Sequence, residues 1–294
     1  MIFKNFDKFA QYIPKAAGTE HDAMKTFLEE AEIWLKTEVL GYPLYYYIDG
    51  ISGNIPESTF DGTFDYIFDE SIPPSDVVRA AEVVICLKAY LSAIPFVDLI
   101  QTPNGFAVVS NSNQAPASKE RVERLIEFVK FRLSDNLDFL ITFIFSYSSF
   151  RELWKKHELF ERYTEIVYLT GKELMKFANT KVTFETLDST RTLILQLQDD
   201  LSKYISPEYM KALFKKFRNC DMSAWDKNVR LKLQVLVGLM LQKQETYPMI
   251  EKLVNFMVKN IDKFPDFETS QTYKLKLEPK YKNRKSDTIF FFGG

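Results

Sequence analysis

The stretch DVVRAAEVVICLKAYLSAIPF, residues 76–96, decides the fold. Its apolar residues recur at steps of three and four, which is the spacing of an α-helix, and further apolar residues occupy much of the remaining circumference. A helix that is apolar on most sides is either enclosed by other helices or spans a membrane. Arg79, Glu82 and Lys88 interrupt the run well short of the roughly 20 apolar residues that a span needs. The stretch therefore predicts the buried central helix of a soluble helical domain.

A second stretch of this kind, DKNVRLKLQVLVGLMLQK at 226–243, predicts another core helix. The predicted fold class is therefore mainly α, with helical bundles around buried helices 76–95 and 226–243, one small β-hairpin at about 96–110 and an extended C-terminal arm. In the first half, further helices are predicted at 21–40, ended by Gly41 and Pro43, and after Ser118 and Ser134, each of which would cap a helix. In the second half, one helix is predicted from Thr183 or Thr186 to Tyr204. Another is predicted to start at Ser206-Pro207-Glu208, and a last one lies at about 249–263.

The chain is predicted to divide into three parts. Residues 1–147 form an N-terminal helical half that contains the hairpin, residues 148–263 form a C-terminal helical half, and residues 264–294 form the extended arm. In each half an amphipathic pair of helices precedes a largely apolar helix. This order leaves open whether the two halves arose by duplication or form one compact body.

The hairpin prediction depends on the segment FVDLIQTPNGFAVVSN, which alternates on both sides of Asn104-Gly105. Asn-Gly suits a two-residue turn that needs positive φ at both central positions. A lone hairpin is marginally stable, so it must pack on the helices or pair with a neighbour. It is either a structural flap or a strand that binds a partner.

The C-terminal arm has a different composition from the rest of the chain. Tyr273, Leu275 and Leu277 alternate with lysines, a period of two that predicts an edge strand. Residues 289–292, IFFF, would be an exposed apolar plug that docks on its own body or inserts into a partner. The candidate partner-binding residues are therefore Asn104, Gly105, Tyr273, Leu275, Leu277, Ile289, Phe290, Phe291 and Phe292.

An acidic region extends from Thr37 to Val78, which contains eight acidic residues and no Lys or Arg. Its glycines and prolines predict that the region is largely loop. The carboxylates could form a solvated surface, a docking surface or a cation site. The spacing of Asp61, Asp65 and Asp69 does not match an EF-hand loop, which favours the solvated surface.

Composition excludes several classes of protein. A formal charge of −2 over 294 residues gives no general electrostatic case for nucleic-acid binding. Cys86 and Cys220 predict free thiols in a reducing compartment, and the N-terminus lacks the apolar core of a secretory signal. The two histidines, His21 and His157, are not spaced for a zinc helix, and no phosphate loop or nucleophile elbow occurs. We expect no catalytic, cofactor or metal site, and an enzyme is the weakest hypothesis.

The order of elements from the central helix onward resembles a domain of unknown function common in phages and prophages of Bacteroidetes. The resemblance depends on a core helix that ends in Ala93-Ile94-Pro95, a strand pair around Asn104-Gly105, and a polar linker at 111–117 followed by a helix. It extends over most of the chain. Further matching features are Trp154 after a Ser-Phe-Arg stretch, the segment 170–174, the step 184–187, and the ending Phe292-Gly293-Gly294.

This resemblance implies a structural protein of the virion. Members of the family are thought to be head–tail connectors, or adaptors, that form a ring between the portal and the tail. It implies self-assembly into about a dozen copies by portal symmetry, contacts with portal and tail proteins, and DNA passage through the channel without sequence-specific binding. The location would be the head–tail junction, after synthesis in the host cytoplasm, with no membrane. The alternative is a soluble helical module that binds a ligand or peptide.

Overall fold

The computed structural model describes residues 1–13, 21–52, 74–96, 99–102, 105–108, 118–178 and 181–277. The chain divides into two compact units, Met1–Thr190 and Arg191–Gly294. The boundary therefore lies inside a long helix, 184–205, and not at 147–148 where the sequence predicted it. The predicted mainly α class is confirmed.

The first unit contains eight complete helices and the start of a ninth within its described residues, together with one two-stranded sheet. Short 3₁₀ turns occupy Phe6–Lys8 and Ile94–Phe96. The elements are α1 (Phe9–Tyr12), α2 (His21–Trp34), α3 (Tyr42–Ser52), α4 (Pro74–Ala93), β1 (Leu99–Thr102), β2 (Gly105–Val108), α5 (Lys119–Ser146), α6 (Ser148–Trp154), α7 (Glu158–Thr164), α8 (Gly171–Ala178) and α9 (Phe184–Ile205), which continues into the second unit.

The central helix predicted at 76–95 is α4, and it forms the core of the first unit. Most of its side chains are at most 7% exposed, including Val77, Val84 and Leu87. The helix packs against α2 and α5, which cover it from different sides. Burial on several sides explains why its apolar residues are not confined to one stripe.

The helix predicted at 21–40 is present but changes its hydrogen bonding before it ends. Residues Leu35–Leu40 form a π-helical segment that follows α2, and Gly41 stops it with φ of +74°. Only glycine adopts this conformation readily. A Cβ at Gly41 would also lie 2.5 Å from His157 Cγ, so the position excludes a side chain on two grounds.

The sequence prediction that the region after Gly41 is largely loop was wrong for α3. Pro43 does not stop a helix there; it lies in the first turn of α3, where a missing N–H costs nothing. Leu44, Tyr45 and Ile48 are buried at helical spacing. The remaining acidic residues of this region, from 53 to 73, lie outside the described residues.

The two helices predicted from Ser118 and Ser134 are one continuous helix, α5, of 28 residues. Ser118 occupies the N-cap position, but its side chain makes no capping hydrogen bond. Ser134 lies inside the helix and is buried. Ser134 caps nothing because the backbone continues in helical conformation through it, which a cap residue does not do.

An aromatic cluster joins α6 and α7 to the end of the π-helical segment. Trp154 is fully buried, and its indole Nε1 donates to the Val39 carbonyl over 3.0 Å. Its ring packs against Phe160 and Tyr163, with centroid separations of 5.5 and 5.2 Å. The Tyr163 hydroxyl donates to the Glu38 carbonyl. These bonds satisfy carbonyls that the change to π-helical geometry leaves free.

Within its described residues the second unit consists of helices joined by short turns. Ser206 caps α10 as predicted and accepts from the Tyr209 N–H over 3.1 Å. Ser223 and Asp226 form a reciprocal capping box at the start of the predicted core helix, α11. A 3₁₀ turn occupies Ile261–Lys263. The helices are α10 (Pro207–Arg218), α11 (Ala224–Leu241), α12 (Tyr247–Lys259), α13 (Pro265–Glu268) and α14 (Gln271–Leu277).

The C-terminal region is not an extended arm from residue 264 onward, because its described part is helical and packed. Phe264 and Phe267 are buried beneath Tyr209, with ring centroids 6.1 and 6.0 Å away. Both belong to the core of the second unit. Any arm therefore begins after Leu277.

Candidate partner-binding surfaces

The β-hairpin is the first candidate surface. Its strands are antiparallel, and the register pairs Thr102 with Gly105 and Leu99 with Val108. The sequence analysis placed Gly105 in the turn, but the register shows that Gly105 begins β2. Asn104 lies outside the described residues. Within the described ranges β1 and β2 pair only with each other. Each strand thus has one edge that pairs with no other described strand, and such an edge is a template for another strand.

The second candidate surface is α14, which contains three of the predicted partner-binding residues. The alternation of Tyr273, Leu275 and Leu277 with lysines predicted a strand, and this prediction was wrong. Ser270 Oγ accepts from the Tyr273 N–H over 3.2 Å, and this cap begins the helix. The Tyr273 ring packs 5.8 Å from Phe267.

Helical geometry rearranges these three side chains. Tyr273 is partly covered, whereas Leu275 and Leu277 are 57% and 61% exposed. A helix end with two leucines in solvent is an apolar surface in the described structure. Ile289, Phe290, Phe291 and Phe292 lie outside the described residues.

A third surface, which the sequence analysis missed, is the outer face of α3. Tyr42 and Tyr46 are 49% and 59% exposed, one helical turn apart, with ring centroids separated by 6.4 Å. Tyr47 is 44% exposed and packs edge-on against Phe150. The Lys36 ammonium lies 5.5 Å above the Tyr42 ring. The four-residue spacing of Tyr42 and Tyr46 could have indicated this surface, but the sequence analysis assigned the segment to a loop and so missed it.

Two buried carboxylates fix the N-terminal segment onto the helices of the first unit. Glu32, 5% exposed, accepts hydrogen bonds from the Ile2 N–H and from the Tyr45 hydroxyl. Glu82, 6% exposed, accepts from the Tyr12 hydroxyl over 2.7 Å and pairs with Lys8 over 3.4 Å. Burial and the adjacent carboxylate raise the pKa of both tyrosines. Each tyrosine therefore acts as a neutral donor, and these groups have a structural role.

A cavity of about 350 Å³ opens beside this N-terminal segment. Phe3, Phe6 and Leu28 form its apolar lining, and Lys4, Lys25 and Glu29 add charge. A cavity of this size falls in the range of small-molecule sites.

A third buried carboxylate, Asp138 on α5, holds the start of α8. It accepts from the backbone N–H groups of Gly171 and Lys172, over 3.1 and 2.7 Å. Burial raises its pKa to about 6, partly opposed by these hydrogen bonds and by the Lys172 charge. Thr170-Gly171-Lys172 is thus a helix start already occupied by a carboxylate.

His157, examined as a possible metal ligand, caps α7 by accepting from the Leu159 N–H. In the ranges that the structure describes, no group of three or more His, Cys, Asp or Glu side chains is arranged to hold a metal ion. Of the described helices, none is both long and apolar enough to cross a bilayer.

Comparison with known proteins gives one match. A family of unknown function, DUF6712, matches residues 21–163 and 232–276, which is more than half of the chain. The matched regions contain the central helix, the hairpin, the aromatic cluster and most of α14. No curated protein and no solved structure matches.

Proposed function

We propose a structural role for this chain, which belongs to the family of unknown function DUF6712: it is a head–tail connector of a tailed bacteriophage. In this role it forms a ring of about a dozen copies between portal and tail. It is synthesised in the host cytoplasm and functions at the head–tail junction. It performs no catalysis and binds no cofactor.

The observation that supports this proposal best is the hairpin on a helical body. A ring of identical subunits needs a contact that each copy can both give and receive. Strand addition supplies such a contact, because backbone hydrogen bonds to an open edge give affinity without a specific side chain. Within the described residues the β1–β2 sheet has two open edges. The exposed leucines of α14 offer a further apolar contact.

Capture from a lysate of phage-producing cells tests the proposal. The baits are the full chain, a chain ending at Leu277 and the variant Gln101→Pro, with Gln101→Ala as the matched control. Leu277 is the correct end point because Phe264 and Phe267 are core residues of the second unit. Proline at 101 removes a strand N–H, whereas alanine keeps it.

The full chain and Gln101→Ala are expected to capture portal or tail proteins, identified by mass spectrometry, and Gln101→Pro to lose them. If the bait ending at Leu277 also fails to capture these proteins, residues 278–294 take part in the contact as well. If the full chain captures no portal or tail protein, the connector proposal is wrong.

The second candidate function is a module that binds a small ligand or peptide, and the cavity beside the N-terminal segment favours it. This function predicts a monomer whose melting temperature rises with a small apolar ligand. The rise should disappear in Leu28→Lys, which places a charge in the lining, and should persist in the chain ending at Leu277.

A further inference from the structure

The two units carry opposite formal charges, which the near-neutral total conceals. Residues 1–190 contain 19 Lys and Arg against 28 Asp and Glu, a net charge of −9. Residues 191–294 contain 19 Lys and Arg against 12 Asp and Glu, a net charge of +7. The argument from total charge against a polyanionic partner therefore does not apply to the second unit.

Part of this positive charge lies on one face of α10. Lys211, Lys215 and Arg218 follow at steps of four and three, which places them on the same side of the helix. Lys211 and Lys215 are exposed, and neither forms an ion pair within the part of the chain that the structure describes. The opposite side of α10 is apolar and buried, formed by Tyr209, Met210, Leu213 and Phe217.

Helix α11 extends this positive region. The Arg230 guanidinium lies 4.2 Å from the centroid of the Phe217 ring, which places it beside the last turn of α10. Lys227, one turn earlier on α11, is exposed. Arg218 Nε is buried and has no hydrogen-bond partner among the described residues. We call Lys211, Lys215 and Arg218 the cationic face.

Two acids beside α10 bind Lys216, which is not part of the cationic face. Asp226 and Asp266 both pair with Lys216, over 3.3 and 2.6 Å. Lys216 lies at the edge of α10 that faces α11 and α13, and it is only 27% exposed. Neither Asp226 nor Asp266 therefore forms an ion pair with Lys211 or Lys215.

We propose that the cationic face binds the phosphate backbone of double-stranded DNA without reading its sequence. From Lys211 to Arg218 the helix rises about 10 Å, so the three cations can contact neighbouring phosphates of the DNA backbone. Lysine supplies a point charge for each phosphate, and a guanidinium supplies paired donors. This binding would be sequence-independent because backbone contacts carry no direct base readout. It does not depend on the connector proposal.

Fluorescence anisotropy with the purified full chain and a labelled duplex of about 30 base pairs tests this inference. For three neutralised phosphates, the association constant should fall about 40-fold between about 50 and 200 mM salt. The variant Lys211→Glu/Lys215→Glu should weaken binding at least about tenfold and lower the salt slope by about two. Both positions are exposed, so unchanged circular dichroism is expected.

The matched control is Lys252→Glu/Lys259→Glu on α12, which makes the same change of charge in the same unit at two exposed positions. It should retain most of the affinity. Equal losses in both variants, or no binding by the native chain at the lowest salt, would overturn the proposal.

A third outcome would also overturn it. If sedimentation shows salt-sensitive self-association that only Lys211→Glu/Lys215→Glu abolishes, and DNA does not compete with it, the face is a contact between copies. Capture of portal or tail proteins by the Lys211→Glu/Lys215→Glu bait would show that the connector function stands even if this inference fails.

Discussion

Asp138 in the first unit and Asp226 in the second are both buried carboxylates that hold a helix end, but they do so with different partners. Asp138, 4% exposed, is bound by two backbone N–H groups at the start of α8. Asp226, 2% exposed, is bound by the side chains of Tyr209, Lys216 and Ser223. Asp138 thus joins α5 to the start of α8, whereas Asp226 closes the start of its own helix, α11, and joins it to α10.

The difference determines how each carboxylate responds to change. Around Asp138 the direct donors are neutral, so burial outweighs them and raises its pKa to about 6. Asp226 has a cation in contact, and removing the acid would leave the Tyr209 hydroxyl without its acceptor and Lys216 with Asp266 alone. We therefore expect the region around Asp138 to respond to pH, and the second unit to be destabilised when Asp226 is removed.

The largest effect is expected for Asp226→Ala, which should destabilise the second unit by about 4 kcal/mol. The loss arises because the Tyr209 hydroxyl, the Ser223 N–H and the Lys216 ammonium lose a shared acceptor. Hydrogen exchange of the α10 and α11 segments measures it without assuming that both units unfold together.

Asp266→Ala is the control for this prediction, because Asp266 pairs with the same lysine but is 38% exposed. Its removal should cost less than about 1 kcal/mol. Equal effects of the two substitutions would show that Lys216 pairing, and not the buried network, determines stability.

The next effect is a pH dependence of the first unit that comes from Asp138. Its folded pKa of about 6 lies above the ordinary 3.8, so the folded state binds more protons between these values. Stability therefore falls as pH rises from about 4 to about 6, by about 3 kcal/mol in total. Hydrogen exchange of the α8 segment across this range measures the fall.

The variant Asp138→Asn isolates this contribution, because it cannot ionise. The slope of its exchange free energy against pH should be smaller than that of the native protein throughout this window. The amide has one acceptor oxygen for two N–H groups, so α8 should also exchange faster at neutral pH. An identical slope in both proteins would assign the pH dependence to other groups.

The smallest effect is expected for Asp135→Asn. Asp135 pairs with Lys172 over 3.0 Å, but the two side chains are 43% and 37% exposed. Such a pair contributes about 0.5 kcal/mol or less. Asp135 also raises the pKa of Asp138, so its neutralisation should move the midpoint of the α8 transition to lower pH. A midpoint that stays constant would mean that the two carboxylates do not interact.

Much of the helical framework could be predicted from local chemistry. The apolar pattern of 76–96 identified α4, Ser206-Pro207-Glu208 identified the start of α10, and Gly41 identified the end of its helix. Each of these signals acts within a few residues, through periodicity, a capping side chain or a backbone angle. The hairpin was also found, although its register places Gly105 on a strand.

Predictions failed where a local signal competed with packing. Alternation of Tyr273, Leu275 and Leu277 predicted a strand, but Ser270 caps a helix and Tyr273 packs on Phe267. The glycines and prolines after Gly41 predicted a loop, yet the segment forms α3, which is stabilised by the burial of Leu44 and Ile48. At both places tertiary contacts outweigh a weak local preference.

The sequence by itself determined the fold class and the central helix, because composition and periodicity are properties of the chain. Only the tertiary structure decided which charged side chains form ion pairs and which face solvent. It places Lys216 between Asp226 and Asp266, leaves Lys211 and Lys215 in solvent, and brings the Asp138 carboxylate to the start of α8. Charge pairing depends on distances of a few ångströms between residues far apart in the chain, and folding alone sets those distances.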